Sequence, residues 1–201
     1  MGGPNEKIWV YVIDDDPAVL KSLCALLNAH GYATTPCASA ENFLRVYDPA
    51  LKACLLLDVR LPGMSGAQLQ AHLTQIGISL PTIILTAHGD VPIAVKSMRA
   101  GAIDFIEKPA RVEEILAAIK LAAGMLFNRQ PALVSKKIVA DRLAKLTDRE
   151  KVVMNHLLQG KLNKEIANEL GVSQRTVEGH RARIREKMQA RGIADLIRML
   201  G

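Results

Sequence analysis

Four predominantly apolar runs in this sequence each end on residues that can do chemistry. IWVYVI (8–13) runs into Asp14, Asp15 and Asp16. ACLLL (53–57) runs into Asp58, PTIIL (81–85) into Thr86, and IDFIE (103–107) into Lys108. If the runs are strands of one parallel sheet, carboxylates, a hydroxyl and an ammonium meet at its carboxyl edge, where open α/β sheets bind their ligands. Clustered carboxylates with no counter-charge raise one another's pKa or destabilise the fold. A hard divalent cation removes that conflict. Mg2+ takes one or two carboxylates, keeps several waters and shares its remaining positions with phosphate oxygens. Lys108 can meet an anion as a point charge, and Thr86 can donate its hydroxyl to a phosphate oxygen. Asp58 can act as a nucleophile that forms an aspartyl phosphate.

The elements that must hold these residues are legible as an alternation. Short runs rich in β-branched and aromatic residues predict strands over 8–13, 33–36, 53–58, 81–86 and 103–108. Asp16 caps, and Pro17 opens, a helix to about Ala29. Ser39 caps a helix through about Tyr47. The turn LPGMSG (61–66) precedes a helix over 67–76, and further helices are predicted from about Val91 to before Gly101 and from Val112 to Ala123. Five strands alternating with five helices imply a parallel sheet covered on both faces, so its strands read as continuous apolar stretches. Residues 124–145 read as a partly helical linker, with Gly124 and Pro131 as interruptions and a short polar helix over 135–145. Beyond Leu146 no strand signal appears, and helices are predicted over 148–159, 163–170, 174–188 and 193–200.

Charge divides the chain in the same place. Residues 1–124 carry a net −2 and residues 125–201 a net +8, which together make the overall +6. That asymmetry predicts two domains with different partners, the basic one facing nucleic acid, an acidic protein or a membrane surface. No stretch of about 18 uncharged apolar residues is present, and MGGPNEKIW lacks a signal-peptide core. Cys24, Cys37 and Cys54 fall in no metal or disulfide spacing. A cytoplasmic protein with reduced thiols is expected.

In the basic part, Ile166, Ala167 and Leu170 mark one helix that Asn163 can cap and Gly171 can end. Ser173 can cap the next, whose Val177, Ile184 and Met188 form an inward stripe. Two helices across a tight glycine turn, the second basic on its outer face, match a helix-turn-helix. Lys and Arg there would neutralise phosphates and make binding salt-dependent.

The motifs IDDD (13–16), LLLDVRLPGMSG (55–66), ILTAHGD (84–90) and DFIEKP (104–109) resemble those of response-regulator receiver domains, over residues 8–123. The resemblance implies a flavodoxin-like α/β domain of five βα units with sheet order 2-1-3-4-5. It implies Asp58 as the phosphorylated residue, and Mg2+ bound by Asp15 and Asp58, with Asp14 acting largely through water and the backbone carbonyl of Arg60 as a further ligand. Thr86 and Lys108 would grip the phosphoryl group, and Phe105 would turn inward with Thr86 on activation. Asp16 keeps its capping role. One departure is Ala110 after Pro109, where many relatives carry Phe.

The segment Leu146–Leu200 resembles the LuxR/FixJ-type DNA-binding domain, a separate all-α four-helix unit. Lys164, Arg175, Thr176, Glu178, Arg181, Arg183 and Lys187 are the candidate DNA contacts. Glu178 either accepts from a cytosine amine or pairs with Arg181 or Arg175, the pair being the preferred reading. Gly179, which costs about 1 kcal/mol against Ala inside a helix, either allows close approach to DNA or is tolerated.

Together the two resemblances imply a response regulator of the FixJ/NarL family, closest to the FixJ-type subgroup. A histidine kinase would phosphorylate Asp58. A homodimer would form through the face of the fourth helix, fifth strand and fifth helix, and the basic domains would bind double-stranded DNA to control transcription. RNA polymerase stays open as a further partner, and no membrane partner or enzymatic turnover is expected. A Mg-dependent phosphatase of the haloacid-dehalogenase type would need a second Asp two residues after the nucleophile, where Arg60 stands. A DNA-binding protein with a vestigial receiver is countered by the complete acidic set, and a ligand-sensing LuxR-type regulator by the receiver motifs.

Overall fold

Parallel pairing carries the apolar runs side by side and in step. In the computed structural model, which describes residues 8–87, 91–127 and 136–200, five strands form one sheet. They are β1 (Trp9–Ile13), β2 (Ala33–Cys37), β3 (Ala53–Leu57), β4 (Thr82–Thr86) and β5 (Ala102–Glu107), in the order β2-β1-β3-β4-β5. All four pairings are parallel. His88, Gly89 and Asp90 of the fourth-strand motif, and Pro131 and Ser135 of the expected linker, lie outside the described residues.

The alternation of side chains along each strand feeds two apolar layers. Val10, Val12, Cys54, Leu56, Ile83 and Leu85 pack against Leu20, Leu23 and Leu27 of α1 (Pro17–Ala29) and Ile115, Ala118 and Ile119 of α5 (Val112–Leu126). On the other face Tyr11 meets Phe43 of α2 (Ala40–Val46) edge-on, with ring centroids 5.1 Å apart. Leu69 and Leu73 of α3 (Gly66–Gln75) are buried as well. The central strands β3 and β4 carry the continuous apolar runs Leu55–Leu57 and Ile83–Leu85, as the sequence predicted, while Asp104 is buried within β5.

Local caps set the helix starts. Asp16 accepts from the Ala18 amide at 2.8 Å, and Ser39 from the Asn42 amide at 3.1 Å. Ser65 and Gln68 form a reciprocal capping box at α3. One expectation is corrected: α5 does not stop at Ala123 but runs through Gly124 to Leu126, since a single glycine inside a helix costs only about 1 kcal/mol against Ala.

The described residues gather into two compact units. One is drawn from Met1–His88 and Ala100–Pro131, the other from Gly89–Arg99 and Ala132–Gly201. The second therefore takes in α4 (Val91–Arg99) along with α6 (Lys136–Ala144), α7 (Asp148–Leu158), α8 (Asn163–Leu170), α9 (Gln174–Met188) and α10 (Ile193–Leu200). Its core includes Leu146, Val153, Leu157, Ile166, Val177, Ile184 and Met188. The segment expected as a short polar helix within the linker is α6, which buries Val139 and packs Leu143 against this core.

Candidate functional site

Sheet register alone brings the chemistry together. Ile13 pairs with Leu57, so the next residues, Asp14 and Asp58, are neighbours. Thr86 pairs with Glu107, so Lys108 follows one step beyond. The crevice outside β1 and β3 is also where the sheet order reverses direction, the usual place for a ligand in such sheets.

Lys108 joins the two acids. Its Nζ donates to Asp14 Oδ2 at 2.5 Å and to Asp58 Oδ2 at 2.8 Å. Asp14 is 3% and Asp58 8% exposed, so this is a buried triad in which two carboxylates share one ammonium. Burial alone would pull the Lys108 pKa down, but the hydrogen bonds to Asp14 and Asp58 outweigh it and hold the pKa above its ordinary value. The other carboxylate oxygens bind backbone. Asp14 Oδ1 accepts from the Asp16 amide and Asp58 Oδ1 from the Arg60 amide, both at 3.0 Å. Thr86 is buried at the end of β4.

The three consecutive aspartates thus have three fates. Asp14 turns inward to Lys108, and Asp16 caps α1. Asp15 is exposed and makes no hydrogen bond or ion pair among the described residues. Phe105 is half-buried, its amide donating to Asp104 Oδ1 at 2.9 Å.

Two residues that the sequence reading did not single out frame this site. A Cβ at Gly66 would lie 2.4 Å from the Asp58 carbonyl oxygen, so only glycine lets α3 start there. Glu41 Oε1 accepts from the Met64 amide at 2.9 Å, tying α2 to the β3–α3 loop. Its own backbone amide, then that of Met64, then the Ser39 hydroxyl hold the Glu41 carboxyl below the usual range. Gly66 was visible within LPGMSG as a turn residue. Nothing in the sequence marks Glu41, whose partner lies 23 residues further on. The buried thiols are inert by comparison, with burial pushing Cys37 up to about 11 and Cys54 to about 12.

The basic helices form the helix-turn-helix expected. Gly171 ends α8 in the left-handed conformation at φ 65°, and Ser173 caps α9. Val177, Ile184 and Met188 are buried, which turns Arg175, Thr176, Glu178 and Arg183 outward, with Lys164 exposed on α8. The Thr176 hydroxyl pairs with that of Ser173 at 2.8 Å. Three expectations change here. Asn163 is not the cap: Leu162 takes that position, its amide donating to Glu165 Oε2 at 2.7 Å. Asn163 instead accepts from Arg181 Nη1 at 2.7 Å, which engages Arg181 in bracing α9 on α8. Glu178 is exposed on α9. Lys187 points inward, 2.8 Å from Glu150, itself 2% exposed. A Cβ at Gly179 would meet only Arg183 Nη2 at 3.9 Å, so packing does not require that glycine.

Comparison with known proteins gives the same division. Residues 10–120 match the model of the response regulator receiver domain, and residues 144–200 that of the bacterial regulatory proteins of the luxR family. The chain is 42% identical to the transcriptional regulatory protein FixJ of Azorhizobium caulinodans, over 96% of this chain and 92% of that one. It is similar to the low-resolution structure of the response regulator StyR, with a TM-score of 0.58 and 38% identity over 96% and 98% of the two chains. Against full-length FixJ from B. japonicum the TM-score is 0.52 and the identity 39%, over 95% and 94% of the chains. With a receiver sheet whose strand ends converge on Asp58 and, later in the sequence, a helix-turn-helix unit, the chain belongs to the response regulators that carry a LuxR-type DNA-binding domain.

Proposed function

We propose that this protein accepts a phosphoryl group on Asp58 from a sensor histidine kinase and thereby controls its own binding to double-stranded DNA. The observation that carries this reading is the Asp14–Lys108–Asp58 triad beside Thr86. An Asp58 oxygen attacks the phosphorus of a phosphohistidine, the P–N bond breaks, and the imidazole leaves with the bond's electron pair and takes a proton. The product is an acyl phosphate on Asp58. Lys108, already 2.8 Å from the acceptor carboxylate, is within reach of the new phosphoryl oxygens, and Thr86 supplies a hydroxyl to them. Thr86 and Phe105 then shift together and pass the change on.

The donor set fits Mg2+. Asp14, Asp15 and Asp58 against one ammonium leave a negative balance that suits a hard dication. Among the described residues no three acidic, His or Cys side chains already gather as a metal cage. Asp15 and Asp58 would hold it with the Arg60 carbonyl, and Asp14 would act through water. Bound there, Mg2+ supplies charge neutralisation for the transferred phosphoryl oxygens.

Downstream, the face of the fourth helix, fifth strand and fifth helix pairs two copies, and the two basic units then occupy paired half-sites. Lys164, Arg175, Thr176, Glu178 and Arg183 are the groups that meet DNA. Arg181 and Lys187 support α9 from within. The protein works in the cytoplasm as a transcription regulator without enzymatic turnover, beside RNA polymerase. No helix among the described residues is long and apolar enough to cross a membrane.

The test is phosphorylation by acetyl phosphate with Mg2+, followed by intact mass and oligomeric state. Wild type should gain one phosphoryl group and shift toward dimer. Asp58→Asn should gain none. An Asn variant that is modified as fast as wild type removes Asp58 from the role.

A further inference from the structure

We propose that Glu41 is a positioning residue for phosphoryl acceptance: a clasp that fixes the β3–α3 loop and, through it, the Asp58 carboxylate and the Arg60 backbone. The inference rests on the assignment of Asp58 as acceptor. Asp58, Arg60 and the helix that follows are joined by one continuous loop, residues 58–65. Its base is pinned by the Arg60 amide on Asp58 Oδ1 and by the Gly66 amide on the Val59 carbonyl, both at 3.0 Å. Its far end is pinned by the capping box of Ser65 and Gln68. The span between, residues 61–64, has one hydrogen bond to an outside element among the described residues: the Met64 amide to Glu41 Oε1 at 2.9 Å.

The loop is shaped around that carboxylate. Pro62 and Gly63 suit the centre of a type II turn, whose third position needs positive φ, and Gly63 has φ 74°. A Cβ on Gly63 would lie 2.8 Å from Glu41 Oε1, so the acid occupies the space that a side chain would fill. The gap at Gly63 and the acceptor oxygen beneath it are two halves of one fitting. Partners one layer behind a metal-binding group orient it, and their loss typically lowers affinity or activity by about 10- to 100-fold. Glu41 acts on that layer indirectly, through the Met64 amide four residues beyond Arg60 in the same loop.

The experiment separates reach from charge in the full-length protein. E41Q keeps an oxygen acceptor at the same reach and removes the charge. E41D keeps the charge and withdraws the oxygen by about 1.5 Å, one C–C bond. E41A removes both. Mg2+ binding is measured by titration calorimetry with no phosphoryl donor present, and phosphate uptake from acetyl phosphate by intact mass. E41Q should stay within about twofold of wild type, while E41A and E41D bind Mg2+ on the order of tenfold more weakly and take up phosphate more slowly. Wild-type Mg2+ affinity in E41A and E41D overturns the clasp, as does an equal loss in E41Q. A loss that follows the thermal midpoint across the three variants marks a folding effect and overturns it too. A wild type that takes up no phosphate overturns the acceptor assignment itself. A phosphorylated wild type beside an unaffected E41A overturns the clasp alone.

Discussion

Gly66 sets the closest tolerance around the acceptor. A Cβ there would stand 2.4 Å from the Asp58 carbonyl oxygen and 3.0 Å from the Val59 Cα, both backbone atoms that cannot swing aside. Gly66→Ala should therefore cost about 1–3 kcal/mol, the usual range for overpacking a tight site, read as a lower urea midpoint of the receiver unit. Because the displaced atoms belong to Asp58 and its neighbour, phosphate uptake should slow as well. An unchanged midpoint would show that α3 can start elsewhere. At the same scale the DDD run becomes three separate residues: a buried partner of Lys108, an exposed acid and a helix cap.

Among the elements, α9 is held by more than its apolar stripe. Arg142 of α6 donates to the Met188 carbonyl at 3.0 Å and to the Gln189 side chain, closing the helix where Gln189 turns left-handed at φ 52°. Glu150 of α7 accepts from the Thr147 amide and from Lys187 Nζ, each at 2.8 Å. The Lys187 ammonium, against an opposing effect of burial and with help from Thr147, lowers the Glu150 pKa from 4.5 to about 2. A depressed carboxyl pKa adds stability that is present above 4.5 and is lost as pH falls from 4.5 through about 2. Lys187→Met leaves a buried, unpaired carboxylate and should destabilise the helix-turn-helix unit at neutral pH by about 3 kcal/mol. It should also flatten the acid side of its stability profile, followed by circular dichroism. A midpoint equal to wild type at pH 7 would mean that the pair adds nothing.

For the whole molecule, the charge division is the feature with consequences. The receiver half is slightly acidic and the rest strongly basic, so DNA affinity should fall steeply as salt rises, through counterion release. Arg183→Ala should weaken binding and lower the slope of log affinity against log salt by about 1, measured by fluorescence anisotropy across several salt concentrations. An unchanged slope would take Arg183 off the phosphates. Arg181→Ala, in contrast, removes the contact to Asn163, and its effect on DNA binding would come through the mount of α9.

The sequence by itself determined the strands, the helices and the strand-end residues, because those signals are local. Apolar runs, caps and glycine stops act within a few residues. In a parallel sheet, strands kept in step then deliver Asp14, Asp58, Thr86 and Lys108 to one edge. The helix-turn-helix stripe of Val177, Ile184 and Met188 was legible for the same reason. Only the tertiary structure decided which long polar side chain meets which. Lys108 reaches Asp14 across 94 residues, Lys187 reaches Glu150 across 37, Glu41 holds Met64 across 23 and Arg181 reaches Asn163 across 18. A flexible charged side chain can turn to solvent, to a ligand or to a neighbour, and local pattern does not distinguish these. Packing does, by burying one acceptor and leaving another in water, so Lys187 went to Glu150 while Asp15 stayed exposed.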